Sequence, residues 1–110
     1  MWILTTRGFF SAVAKDGPDT IVVRARARAD LENLLPLLGN GATIETGGGT
    51  DYAFRVRVSH DTWKGALAEL ASEIDYGNFK NAVADRQGRE RADVYGKIWL
   101  ALQRLERSAT

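Results

Sequence analysis

The chain of 110 residues has no cysteine, one histidine, one methionine and two prolines. Without cysteine there is no disulfide, no thiolate zinc site and no thiol nucleophile. A single histidine leaves a His-based metal site without a second imidazole. Charge of one sign is lacking too: fifteen Lys and Arg against fourteen Asp and Glu give a net +1, too little to indicate nucleic acid by itself. No apolar run approaches the ~20 residues of a spanning helix. The start, MWILTTRGFF, has neither the basic opening nor the apolar core of a secretory signal. The expectation is a soluble cytoplasmic protein with no membrane partner and no cofactor.

What is present is an ordinary apolar fraction of 45%, enough for one packed domain over residues 1–110. Eleven of the fifteen basic residues are arginine, several at alternate positions. A GC-rich genome would favour arginine in the composition; it would not produce that spacing.

Residues 2–6 and 9–15, WILTT and FFSAVAK, are β-branched and aromatic-rich around Arg7-Gly8, which predicts an N-terminal hairpin. After the Asp16-Gly17-Pro18-Asp19 turn, residues 20–28, TIVVRARAR, alternate. Val23, Ala25 and Ala27 fall on one face and Val22, Arg24, Arg26 and Arg28 on the other. A short helix over 30–38 is expected next, with Asp30 as its cap, an irregular last turn at Pro36 and Gly39 as its stop.

A second hairpin, 42–46 with 52–58, surrounds Gly47-Gly48-Gly49-Thr50. A phosphate-cradling loop would need a helix directly after it, so that amides and dipole point at the anion. The alternating DYAFRVRVS follows instead, so the glycines read as a hairpin tip. Phe54, Val56 and Val58 face one way, Arg55 and Arg57 the other. If both alternating strands join one sheet with helices on its apolar side, Arg24, Arg26, Arg28, Arg55 and Arg57 share the opposite face. Carboxylates of the chain, a second copy or an external anion must then answer them.

Ser59 is a good N-cap for a helix over 60–74, with Asp61 in the first turn and Trp63, Ala66, Leu67, Leu70 and Ile74 facing the core. The pair His60-Asp61 has the form of a phosphohydrolase metal dyad, yet no second histidine exists to complete one; the first-turn reading is preferred. Gly77 closes this helix and Asn78 caps the last one. Phe79 and Val83 begin a stripe that passes through Arg86 and Glu90 and resumes at Val94, Ile98, Ala101 and Leu105. Gly88 interrupts it, and a glycine inside a helix costs about 1 kcal/mol against alanine, which favours a kink or break there. VYGKIWLALQRL is apolar on more than one side, so the C-terminal helix is expected to touch the sheet's second face or a partner, with a homodimer as one outcome.

The fold class expected is α+β: an N-terminal β-hairpin, then a ferredoxin-like β-α-β-β-α unit in an antiparallel-rich sheet with helices on one face, and a long C-terminal helix.

TTRGFFS at 5–11, the VRAR strand leading to ADLENL at 23–34, Asp51-Tyr52, IDYGNFKNAV at 74–83 and the RQG, Tyr95 and Trp99 pattern together resemble a family of small proteins of bacteria and their phages. The resemblance covers nearly the whole length. It implies a self-contained protein, carries over no activity, catalytic residue or cofactor, and raises the prospect of a phage-type inhibitor of a host, including a defence, protein.

Three functions compete for these residues. The first is a non-enzymatic binding module for nucleic acid or a nucleotide, with Arg7, Arg24, Arg26, Arg28, Arg55, Arg57, Lys80 and Arg86 as ligand-binding candidates and Trp2, Phe9 or Phe10 as stacking partners. Arg89 and Arg91 add to the basic set. Against it stands internal pairing with Asp75, Asp85, Glu90 and Asp93. The second is a protein-interaction module, self-associating or inhibitory, acting through the C-terminal helix. The third, given least weight, is a magnesium-dependent phosphoryl-transfer enzyme using Asp51, Asp75, Lys80, Asp85 or Glu90. No nucleophile elbow, Walker loop or His pair can be assembled from the spacing.

Overall fold

The computed structural model describes residues 1–47 and 51–108. The chain forms two compact units, Met1–Asp75 and Tyr76–Thr110.

In the first unit the hairpin strands are β1 (Trp2–Leu4) and β2 (Phe9–Val13). Thr5 builds the connection between them. Its hydroxyl accepts from the amides of Arg7 and Gly8 at 3.0 and 3.1 Å and donates to the Gly8 carbonyl at 2.9 Å, so one buried side chain satisfies the turn's backbone. Strand β3 (Thr20–Ala25) follows. Next come α1 (Arg28–Leu34), a 3-10 turn over Leu35–Leu37, β4 (Glu45–Thr46), β5 (Phe54–Ser59) and α2 (His60–Ser72).

The sheet order is β1-β2-β3-β5-β4, and every neighbouring pair is antiparallel. Strands β3 and β4 are joined through α1 and separated by β5, which is the split β-α-β arrangement expected. The hairpin adds two strands beside β3. Gly47 sits at φ 90 and its amide donates to the Ala53 carbonyl at 3.0 Å, closing the β4–β5 turn. The remainder of the expected glycine tip, 48–50, lies outside the described residues.

Period-two alternation places the core on one side of this sheet. Phe10, Ala12, Ile21, Val23, Ala25 and Val56 pack with Leu31, Leu34 and Leu38 and with Trp63, Ala66 and Leu70 of α2. Both helices therefore cover the same face. Full burial of one such aliphatic side chain is worth roughly 1.5–3 kcal/mol, so this layer supplies most of the unit's apolar stabilisation. Ser59 caps α2 as expected, its hydroxyl accepting from the Thr62 amide at 3.1 Å.

Several expected boundaries move. Strand β3 ends at Ala25, paired with Phe54; beyond that residue β5 offers no partner, and the ladder stops. Arg26 lies in a bend and Arg28 opens α1. Ala27, not Asp30, occupies the N-cap position. Asp30 is instead buried in the first turn, where its Oδ2 accepts from the Phe9 amide at 3.0 Å. Helix α2 ends at Ser72, short of Gly77, and Ile74 is exposed.

The second unit contains α3 (Phe79–Gln87), α4 (Arg89–Leu102) and α5 (Arg104–Ser108). Asn78 caps α3, its side chain accepting from the Asn81 amide at 2.9 Å. Gly88 breaks the segment with φ 97 and ψ 164, a backbone conformation open to glycine. Helices α3 and α4 pack on each other, with the Phe79 and Tyr95 rings stacked at 5.9 Å. The break resets the angular phase, and the expected stripe does not survive it. Arg86 and Glu90 are exposed, as are Val94, Ala101 and Leu105, while Ala92 and Tyr95 are the buried positions of α4. Among the described residues, no helix is long and apolar enough to cross a membrane.

Candidate functional site

The sheet face opposite the core carries the strand arginines. Register puts Trp2, Ser11, Arg24, Arg55 and Glu45 in one transverse row over all five strands. Val13, Val22 and Arg57 form a second row beside it. Of the five arginines expected here, three lie on strands of this face, because β3 stops before Arg26 and Arg28. Val22 also belongs to this face and is buried all the same.

The candidate residues divide by what answers their charge. Arg57 pairs with the carboxylates of both Asp16 and Glu45, which hold its guanidinium above its ordinary pKa. Arg28 meets Glu32 one helical turn on, at 3.5 Å. Arg7 is the most committed of the set. Its Nε donates to Glu73 Oε1 at 2.9 Å and its Nη2 to Oε2 at 2.6 Å, while Nη1 donates to the Asn33 carbonyl at 2.5 Å. The Asn33 amide group returns a bond to the Arg7 carbonyl at 3.1 Å. The bond to Glu73 is the main reason the Arg7 pKa is raised. This fork ties the hairpin turn to α1 and to the end of α2, a structural task. The carboxylates that answer Arg7, Arg28 and Arg57 are Glu73, Glu32, and Asp16 with Glu45.

Arg24 and Arg26 behave differently, and Tyr52 organises them. The guanidinium carbons of Arg24 and Arg26 each lie 4.5 Å from the buried Tyr52 ring centroid, within cation-π range. Arg55, opposite Arg24 in register, donates to the Tyr52 carbonyl at 3.2 Å. Arg24 Nη2 donates to Ser11 Oγ at 2.8 Å and Arg26 Nη1 to the Asp51 carbonyl at 2.9 Å. These acceptors are neutral. Among the described residues neither Arg24 nor Arg26 forms an ion pair, and Arg24 Nε is buried without a hydrogen-bond partner. Tyr52 was legible only as the start of a strand; its contact with two guanidiniums depends on the register of β3 against β5.

Trp2 and Phe9 lie on the same face and meet edge to face at 6.4 Å. Trp2 is 75% exposed, whereas Phe10 is fully buried on the core side and cannot stack on a ligand. Lys80 and Arg86 belong to the second unit. Lys80 crosses α4 at Gly96, its Nζ 3.6 Å from where a Cβ would stand there. Arg86 is exposed in the last turn of α3, a position the helix dipole favours for a cation. Among the described residues no three His, Asp or Glu side chains gather at metal-binding distance.

No known protein family, curated protein or solved structure matches this chain.

Proposed function

We propose that the protein is a non-enzymatic binding module that engages an anionic, phosphate-bearing ligand, nucleic acid or nucleotide, through the arginines gathered on Tyr52. The observation that carries this reading is the partnering of Arg24 and Arg26 by an aromatic face and neutral oxygens. Their positive charge is held in position without being cancelled. A guanidinium in that state presents N–H donors to phosphate with little further loss of side-chain freedom. Arg7, Arg28 and Arg57, each with its carboxylate, play a supporting role by comparison.

The test is binding to inorganic polyphosphate and to mixed nucleic acids across a salt series. Affinity should fall as salt rises, with a slope that reports the number of phosphates contacted. Reversing the exposed charge with Arg26→Glu should lower affinity and flatten the slope by about 1 or more. Absence of binding at low salt removes the reading.

A second reading, a protein-interaction module, rests on a separate observation. Val94, Trp99, Leu100, Leu102 and Leu105 are all at least half exposed on α4 and α5. Apolar surface on several sides of a helix suits a helix enclosed by a partner, whether a second copy or a host protein. Sedimentation at high concentration tests self-association; a strict monomer argues against it.

A further inference from the structure

We propose that the anionic ligand is a single-stranded nucleic acid, with one base stacked on Trp2 and the adjoining phosphate held by Arg24 and Arg26. This inference rests on the anion-binding reading above and adds to it a base-stacking residue and a choice of ligand.

The sheet register supplies the juxtaposition. Trp2 stands directly opposite Ser11, and Ser11 directly opposite Arg24. The Arg24 side chain does not stay over its own strand. Its Nη2 donates to Ser11 Oγ at 2.8 Å, which brings the guanidinium across to β2. Neighbouring strands lie about 4.8 Å apart, so the charge ends one strand spacing from the strand bearing Trp2. An exposed indole and an uncancelled guanidinium thus stand on either side of the buried Ser11 in one row. That is the pairing an alternating base-and-phosphate chain requires.

The state of Trp2 fits the role. A tryptophan serving the core would be buried, as Trp63 is at 6% exposure; Trp2 is 75% exposed. Phe9 meets it at an interplanar angle of 78°, an edge-to-face contact that orients the indole. An oriented and exposed aromatic loses little entropy when a base stacks on it.

The same geometry selects among phosphate-bearing ligands. In a duplex the base faces are already stacked on one another and cannot reach an indole without unstacking, which costs a few kcal/mol. A mononucleotide is better served by groups converging on one point. Here the contacts are laid out along a row across three strands, from Trp2 to Arg24, with Arg26 just past the end of β3 on the same Tyr52 ring. An extended strand can follow that row.

The experiment uses the full chain, Trp2→Ala, Trp2→Phe and Arg26→Ala, titrated at low salt with three probes. These are a single-stranded homopyrimidine oligonucleotide, a duplex of the same length and inorganic polyphosphate. The single strand should bind more tightly than the duplex. Trp2→Ala should weaken it about 5- to 150-fold, the range of one stacked base, and leave polyphosphate binding unchanged. Trp2→Phe should keep most of the affinity, and Arg26→Ala should weaken binding of every probe. Each variant should still unfold cooperatively on heating, since Trp2 and Arg26 are exposed and outside the core. If Trp2→Ala does not alter single-strand affinity, or the duplex binds as well as the single strand, this inference is overturned while the anion reading stands. If none of the probes binds, both fall together.

Discussion

Replacing Gly8 with alanine should damage the first unit more than the same change at Gly17, because of what a methyl group would meet. A Cβ at Gly8 would stand 2.5 Å from both Cβ and Cγ of Asp30 and 2.7 Å from its Oδ2. Those distances are far inside van der Waals contact, and the obstacle is the root of a buried side chain rather than a flexible end. Asp30 would have to withdraw, and its bond from the Phe9 amide would be lost. A hydrogen bond to a charged group is worth about 1.5–3 kcal/mol. The backbone adds to this: φ is 155, and a side chain held in a sparsely populated region costs about 1–3 kcal/mol. Together these come to about 2.5–6 kcal/mol out of a total of roughly 5–15 for a domain of this kind. Denaturant unfolding followed by circular dichroism measures it, and the midpoint should fall with the slope unchanged. Gly17→Ala is the control. Gly17 has φ 101 but nothing within 4 Å of the added Cβ, so only the conformational term applies. If Gly8→Ala costs no more than Gly17→Ala, the contact with Asp30 is not the determinant and the prediction fails.

Arg7→Ala should lower stability by about 1–2 kcal/mol in the same assay. It removes the charge-assisted fork to Glu73 and Asn33, discounted because both charged side chains remain more than a quarter exposed. Leu34→Ala, at a fully buried position of α1, should cost about 2–5 kcal/mol through lost transfer energy and a residual cavity. Ser59→Ala and Asn78→Ala each remove one cap bond and should cost about 1 kcal/mol apiece; a loss below a few tenths at either site would mean its cap is replaced by water. Gly65→Ala, in open space within α2, should stabilise by up to about 1 kcal/mol, and a loss there would reveal a constraint on that turn.

Much of the site's chemistry was legible only as residue type. Alternation marked Arg24, Arg55 and Arg57 for one sheet face, and that held because period two is a backbone property. Alternation also carried Arg26 and Arg28 onto the face, and that failed, since a strand lasts only as long as its neighbour offers hydrogen-bond partners. Arg7 looked equivalent to the others in sequence. Its bidentate bond to Glu73, 66 positions away, separates it from them, and no local pattern announces such a contact. The stripe through Arg86 and Glu90 failed for a related reason: Gly88 was recognised as a point of weakness, but the phase of the helix beyond a break is set by packing.

By itself the sequence determined the α+β class, the hairpin, the alternating strands, the caps at Ser59 and Asn78 and the break near Gly88. Each follows from short-range rules of dihedral freedom, periodicity and local hydrogen bonding. The tertiary structure alone decided which arginines are neutralised by carboxylates and which are held on Tyr52 with their charge intact. It also turned one aromatic of the N-terminal hairpin, Phe10, into the core and left another, Trp2, in the open. Those outcomes depend on strand register and on contacts between residues distant in the chain, which only the assembled sheet brings together.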